Sequence, residues 1–408
     1  MRIIRRIPVI LALLLAVLLA SAAFAEEAAD LSDRCSFKTP ANSYKPARLV
    51  NGNFETYWQS GKMKNPWLEI RSEEPIHALY ICFREVPESY ELQHKEGGEW
   101  GTLAEGDTRF HHVCFELEGE TELRLISTAA KQSRLLINEL YVLGAGELPA
   151  WVQRWEETDE KADLMLLVAH PDDELLFFAG AIPTYDTELG RRVVIVYLTP
   201  CDDTRRSEAL NGLWSMGVRT YPVFGSFQDK YSRDLKTAYR SAKKKDVLAW
   251  VTMLFRKYRP EVVLTHDLKG EYGHGQHMMV ADACVQCFDL AADPENSPES
   301  AELYGAWEVK KLYIHRYGNK EDRLHVSWDT PLESLGGKTG MEAAIEAFEQ
   351  HKTQYGLTFR IDGYKKPLRV EITGTYYENT DFGLYATRVG PDEARNDFLE
   401  HIELDGNP

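Results

Sequence analysis

The sequence predicts two folded parts in one chain, an all-β sandwich followed by an α/β domain built on a mostly parallel sheet with helices on both faces. Three observations predict this. Residues 30–144 carry short apolar-alternating runs separated by Gly, Pro, Asn and charged clusters. From Asp163 onward, short β-branched or apolar runs alternate with longer helical patterns, as a parallel sheet requires. Beyond a 25-residue leader, 383 residues remain, which is long for one domain.

The leader reads as an export signal. Arg2, Arg5 and Arg6 form a basic start, Ile7 to Ala20 is apolar, and Ala23-Phe24-Ala25 matches a small-x-small cleavage site. The alternative is an uncleaved membrane tether, since the 19 residues from Ile7 to Ala25 are just long enough to span a bilayer. Small residues crowding the end of the run favour cleavage, hence a secreted or cell-surface protein. Cleavage removes three arginines and no acid, taking the formal net charge from −17 to −20. A surface that acidic argues against nucleic acid or anionic lipid as the main partner.

Within residues 30–144, strands are expected at Trp67–Ile70, Ala78–Phe83, Glu122–Ile126 and Leu135–Leu143. Residues 145–161, charged and with Trp151 and Trp155, read as a linker. The second part, 162–408, is expected to run strand Leu164–Val168, helix Glu174–Leu189, strand Val193–Leu198, helix Arg205–Met216 and strand Pro222–Phe224. A helix over Thr237–Tyr258, strand Val262–Thr265 and helix Met278–Leu290 follow. Further on, Leu312–Ile314 is strand-like and precedes His315, which could face the same cleft but reads better as a satisfied polar residue at a strand end. Residues 341–355 form an amphipathic helix pattern, and Leu368–Ile372 and Tyr376-Tyr377 to Tyr385 suggest strands and an aromatic loop. Six cysteines follow the leader: Cys35, Cys82, Cys114, Cys201, Cys284 and Cys287. Export permits disulfides, but their connectivity cannot be read from spacing. Cys284 and Cys287 form a CxxC with no second CxxC, which reads as buried thiols rather than a zinc site.

Sites in such sheets lie at the carboxyl ends of the strands, and two polar clusters fall there. Ala169-His170-Pro171-Asp172-Asp173-Glu174 follows the first strand of the sheet. A histidine and a carboxylate on a loop suit a divalent metal, with the neighbouring carboxylate facing a metal-bound water. The plainer reading is that an aspartate caps the next helix. The second cluster, His266-Asp267-Leu268-Lys269-Gly270-Glu271-Tyr272-Gly273-His274-Gly275-Gln276-His277, follows strand Val262–Thr265. His274 and His277 are three apart, so one turn can face both towards a common ion. Two clusters at the strand ends of one sheet say more than either alone.

AHPDDE after the first strand, with GHxxH about 100 residues on, resembles the PIG-L/LmbE family of zinc deacetylases over roughly residues 163–290. The resemblance implies a Rossmann-like fold and removal of acetyl groups from N-acetylglucosaminyl compounds and related amides, with Zn2+ as cofactor. By position, it implies that His170, Asp173 and His277 hold zinc, that Asp172 is the general base, and that His274 polarises the carbonyl or stabilises the charged intermediate. Arg205, in an Arg-x-x-Glu segment with Glu208, and Asp267 are the candidate substrate contacts. Many members carry Asp before the final histidine, where Gln276 stands here; the change spares the ligands and puts substrate contacts in doubt. Asp229 could fill the acidic place the family tends to have after its third strand, or be a turn aspartate.

The segment Leu49-Val50-Asn51-Gly52-Asn53 through Thr56 and Trp58, then Pro66-Trp67-Leu68-Glu69-Ile70, resembles the discoidin (coagulation-factor type C) domain family. Such domains often bind sugars or surfaces through loops at one end, which implies contact with a cell-surface glycan; Trp58 and Trp67, each taken singly, read as core aromatics. The expected function is a secreted zinc hydrolase acting on an N-acetylated sugar or glycan. An amidase on a different N-acyl substrate and a non-catalytic glycan-binding protein are the alternatives. The presence of all ligand types and of Asp172 weighs against the last.

Overall fold

The computed structural model describes residues 26–40, 45–158, 161–354 and 379–404. The expected leader, the run Leu368–Ile372 and the pair Tyr376-Tyr377 lie outside the described residues. The chain divides into two compact units, Met1–Gln153 and Arg154–Pro408.

In the first unit, β1 (Ser36–Lys38), β2 (Trp58–Gln59), β3 (Trp67–Glu85), β4 (Tyr90–Glu96), β5 (Glu99–Glu105), β6 (His112–Ser127) and β7 (Leu136–Leu143) form one antiparallel sheet. The order is β2-β7-β3-β6-β4-β5, with β1 on β3. The register of β3 against β6 slips between Arg71 and Ala78. Slips of this kind bend and twist long strands, consistent with the expected sandwich. Leu68, Ile70, Leu79, Ile81, Leu123, Leu125 and Ile137 are fully buried. Trp58 is core, whereas Trp67 is half-buried with Arg124 over its ring at 5.3 Å.

The Leu49–Asn53 segment has a visible structural job. Leu49 O accepts the Leu140 N–H at 2.7 Å, and Glu139 accepts the Asn53 N–H at 2.9 Å. Burial pushes the Glu139 carboxyl from 4.5 up to about 7, against the backbone N–H groups of Asn53, Gly52 and Asn51. A raised folded-state value means the stabilisation is full below the ordinary value and is lost as pH rises through about 7. Glu139→Gln is therefore expected to narrow the difference in Tm between pH 5 and pH 8, measured by thermal melts.

The second unit holds another seven-stranded sheet, ordered β10-β9-β8-β11-β12-β14-β13. Its strands are β8 (Leu164–Val168), β9 (Val193–Tyr197), β10 (Val223–Phe224), β11 (Val262–Thr265), β12 (Lys311–His315), β13 (Leu324–His325) and β14 (Asp381–Thr387). β8 to β12 pair in parallel; β14 runs antiparallel to β12, and β13 to β14. Every side chain of β8, β9, β11 and β12 is buried, each large aliphatic one contributing about 1.5–3 kcal/mol relative to exposure. That explains why β8, β9 and β11 read as near-continuous apolar runs. The chain winds from β8 outward to β9 and β10, then returns to add β11 and β12 on the other side. The reversal between β8 and β11 creates a crevice at their carboxyl ends.

The helices are α1 (Asp173–Phe178), α2 (Asp203–Ser215), α3 (Leu235–Ser241), α4 (Lys244–Tyr258), α5 (Gly275–Leu290), α6 (Pro298–Tyr304) and α7 (Gly340–Phe348). Two expected helices are broken. Glu174–Leu189 stops at Phe178, where Ala179 turns to φ 34° and a π-helical segment, Pro183–Glu188, follows. Gly180 lies so close to Trp328 that a Cβ would sit 2.7 Å from its ring. Thr237–Tyr258 divides at Ala242, whose backbone is extended (φ −133°) and whose side chain joins the core. The expected helix over 341–355 ends at Phe348, and Tyr355 lies outside the described residues. All six cysteines are free thiols, and Cys284 and Cys287 are buried in the apolar core as expected. No helix among the described residues is long and apolar enough to cross a membrane.

One charge in the sheet is fully buried. Lys311 Nζ donates to Tyr313 Oη at 3.0 Å and pairs with Asp392, which also accepts the Tyr313 hydroxyl at 2.6 Å. Lys311→Ala leaves Asp392 buried without its counter-ion and is expected to cost about 3–5 kcal/mol, read as a lower urea midpoint.

Candidate metal and catalytic site

Both polar clusters converge on the crevice. After β8 the chain turns through Ala169, His170 and Pro171 to Asp172, which stands at φ 112°, a region costly for any residue with a side chain. Three contacts hold it. Its N–H donates to Glu174 Oε2 at 2.9 Å, its C=O accepts the N–H groups of Leu175 and Leu176 at 3.0 Å, and its Oδ1 meets Arg205 Nη2 at 2.9 Å. Arg205 rises from the first turn of α2, where Asp202 caps the helix by accepting the Arg205 N–H at 2.9 Å. It also donates to Pro171 O. The second oxygen of Asp172, Oδ2, is buried with no hydrogen-bond partner. Burial pushes the Asp172 carboxyl up to about 7, although Arg205 opposes the rise. A carboxyl with one free oxygen and a value near neutrality suits a general base.

Asp173 serves the other side. Its Oδ2 accepts the His170 N–H at 2.8 Å and lies 3.1 Å from His170 Nδ1; its Oδ1 lies 3.3 Å from His277 Nε2. Burial alone would raise its pKa, but His277, His266 and His170 hold it well below the carboxylate range.

The loop after β11 turns Glu271 inward, with no side-chain exposure. Its Oε1 lies 3.0 Å from both His266 Nδ1 and His315 Nδ1 and accepts the Asp267 N–H at 3.0 Å, while Oε2 lies 2.6 Å from His277 Nδ1. Against its burial, His266 and His277 hold Glu271 well below the ordinary value. With Nδ1–H of His277 given to Glu271, the His277 Nε2 lone pair faces Asp173 Oδ1. Two acceptors 3.3 Å apart, with Nε2 lacking any hydrogen-bond partner, call for a positive charge between them. Burial lowers the pKa of His277, yet Asp173 and Glu271 bring it up to about 10, so that without a metal a proton on Nε2 fills this place.

Among the described residues, two trios have ligand atoms within 4.8 Å of one another: His170, His274, His277 and Asp173, His266, His277. The expected set His170, Asp173, His277 is divided between them. His266 Nε2 accepts the Ala169 N–H at 3.0 Å, so its lone pair is spent on the backbone, and its ring stacks on His277 at 4.0 Å. His274 Nδ1 accepts the Gln276 N–H at 3.3 Å, leaving its proton on Nε2. His170 faces acceptor oxygens at both nitrogens, Asp173 Oδ2 at 3.1 Å and Gln276 Oε1 at 3.0 Å, and a neutral imidazole has a proton for only one of them. His170, Asp173 and His277 are thus the residues whose donor atoms a metal would best satisfy. Burial, with His277 and His170 nearby, brings His274 down to about 2, so it is neutral.

The structure places the two expected substrate contacts, Arg205 and Asp267, as follows. Arg205 commits its guanidinium to Asp172, Pro171 O and Cys201 Sγ (3.3 Å), and so orients the carboxylate. Asp267 folds back on its own loop, accepting the Lys269 N–H at 2.9 Å. Glu208 likewise turns away, accepting from the Thr353 N–H and hydroxyl at 2.8 and 2.7 Å. Asp229 does reach the site, 3.6 Å from His170 Nε2. Gln276, expected to spare the ligands, touches His170 directly, and being fully buried it offers no surface for substrate. Glu271 was not among the expected site residues, and His315, read mainly as a strand-end polar residue, meets the site through Glu271. The sequence signal for Glu271 was an acid set among glycines and histidines.

Residues 165–288, which hold both clusters, match the model of the family described as PIG-L: GlcNAc-PI de-N-acetylase. A 1D-myo-inositol 2-acetamido-2-deoxy-alpha-D-glucopyranoside deacetylase 1 from Catenulispora acidiphila is 26% identical over 257 residues, 55% of this chain and 75% of that protein. Its namesake from Frankia casuarinae is 26% identical over 199 residues, 42% of this chain, which spans 60% of that relative's length. Among solved structures, an N,N'-diacetylchitobiose deacetylase from Pyrococcus horikoshii matches with a TM-score of 0.38 and 18% identity, over 48% of this chain and 71% of that one. The resemblance read from AHPDDE and GHxxH is borne out over residues 165–288.

Proposed function

Starting from a PIG-L-type domain at residues 165–288, we propose that the chain is an exported, zinc-dependent N-deacetylase that frees acetate and an amine from an N-acetylglucosaminyl-type sugar. The observation that carries this is the unpartnered Oδ2 of Asp172 beside the opposed acceptors His277 Nε2 and Asp173 Oδ1. Both curated relatives bear the name of a deacetylase acting on a 2-acetamido-2-deoxy-glucoside, which supports the sugar class.

His170, Asp173 and His277 would hold the ion, and two imidazoles with one carboxylate suit zinc. An ion held there would supply Lewis acidity, lowering the pKa of water at the site towards about 7 and polarising the amide carbonyl. Asp172 takes the water's proton at Oδ2, with Arg205 keeping Oδ1 occupied so that the carboxylate cannot turn away. Neutral His274 presents its Nε2–H to the carbonyl oxygen as negative charge develops there. The water oxygen bonds to the carbonyl carbon, and Asp172 then passes its proton to the nitrogen as the C–N bond breaks, freeing acetate and the amine.

The test is acetate release from a panel of N-acetylglucosamine oligosaccharides by the zinc-loaded chain. Release from at least one member is expected. No release at one zinc per chain would point to another N-acyl amide, and failure to bind metal would leave a glycan-binding protein. Export is checked by N-terminal sequencing of the released protein, which is expected to begin at Glu26.

A further inference from the structure

We infer that Tyr231 is the platform on which a pyranose ring of the substrate stacks, so that the site selects saccharides over small amides. The inference rests on the deacetylase reading above and adds a specificity residue to it. Tyr231 is 61% exposed, yet its ring packs edge-on against His274 at 5.1 Å, and His274 is only 5% exposed. An aromatic face left in water directly over a buried catalytic histidine is a surface awaiting an apolar partner. The C–H face of a pyranose is such a partner, and a substrate presenting its acetamido group to His274 must carry its ring past Tyr231. The ring is also anchored, because the Tyr231 hydroxyl accepts from Arg233 Nε at 3.0 Å.

The loop that presents Tyr231 is fastened to the start of α5 from both sides of that residue. Gln276 Nε2 donates to Gln228 O at 3.0 Å, and Gln276 Oε1 accepts the Lys230 N–H at 3.2 Å. Beyond Tyr231, Ser232 O accepts the Gly275 N–H at 2.8 Å. The approach is so close that a Cβ on Gly275 would lie 2.0 Å from Ser232 Oγ and 2.8 Å from Asp234 O. A carboxylate at position 276 could accept the Lys230 N–H but could not donate to Gln228 O. The amide clasps both, and so sets the rim on which Tyr231 stands.

The test compares wild type, Tyr231→Phe and Tyr231→Ala, all zinc-loaded, on an N-acetylglucosamine oligosaccharide and on a small acyclic N-acetyl amine. For Tyr231→Ala, KM for the saccharide is expected to rise about tenfold with kcat little changed, while kcat/KM for the acyclic amide falls by clearly less, so that the preference for the saccharide drops. Tyr231→Phe is expected to retain most saccharide affinity. Equal losses on both substrates, or an unchanged saccharide KM, would overturn the platform while leaving the deacetylase reading intact. A wild-type chain that turns over the acyclic amide but no saccharide would overturn both.

Discussion

Asp172→Asn is expected to reduce acetate release by about 10²- to 10⁴-fold, the usual contribution of a positioned general base, while bound zinc stays at one per chain. The two halves of that result separate because the two adjacent aspartates face different partners. Asp172 meets Arg205 and leaves Oδ2 free; Asp173 meets His170 and His277. Asparagine keeps the shape of Asp172 and can still accept from Arg205 through its carbonyl oxygen, so the φ 112° turn held by Glu174 and Arg205 is expected to survive. What it cannot do is take a proton at the free position. Metal content by atomic absorption and turnover by acetate assay decide the matter. Loss of zinc in Asp172→Asn would show that Asp172 is a ligand and would exchange its role with that of Asp173.

How much of this was legible in the sequence follows from the range of each interaction. β8, β9 and β11 could be read to within a residue because fully buried parallel strands leave continuous apolar runs. The two clusters were legible because each is local, and because the strand-end rule places them in one crevice. The breaks at Ala179 and Ala242 were not. The first stands beside Gly180, whose close neighbour Trp328 is far along the chain, and at the second Ala242 joins a core assembled from many segments. The same holds for roles. Arg205 reads as a loose cation on a helix, and only the fold brings Asp172 and Pro171 O to it across more than 30 residues. Tyr231 meets His274 through a loop whose fastening to α5 leaves no mark in spacing.

Glu271 is the most consequential residue that spacing did not disclose, and its replacement is the second experiment with a large expected effect. One carboxylate contacts the Nδ1 atoms of His266, His277 and His315, the last 44 positions away, and the Asp267 N–H. Through His277 it fixes which nitrogen carries the proton, and so aims the other at the metal position. Through His266 it fixes the acceptor for the Ala169 N–H, and thereby the turn that delivers His170. Carboxylates behind metal-binding histidines typically contribute 10- to 100-fold in metal affinity. Glu271→Gln is expected to weaken zinc by about that factor or more, because the amide nitrogen would oppose at least one imidazole N–H and leave a buried donor unpaired. The measurement is competition for zinc against a chromophoric chelator, with far-ultraviolet circular dichroism to establish folding. Glu271→Asp, which keeps the charge but shortens the reach, should fall between. Unchanged zinc affinity in folded Glu271→Gln would mean that Asp173 and His170 alone set the metal position, and that the contacts to Glu271 only fill the core.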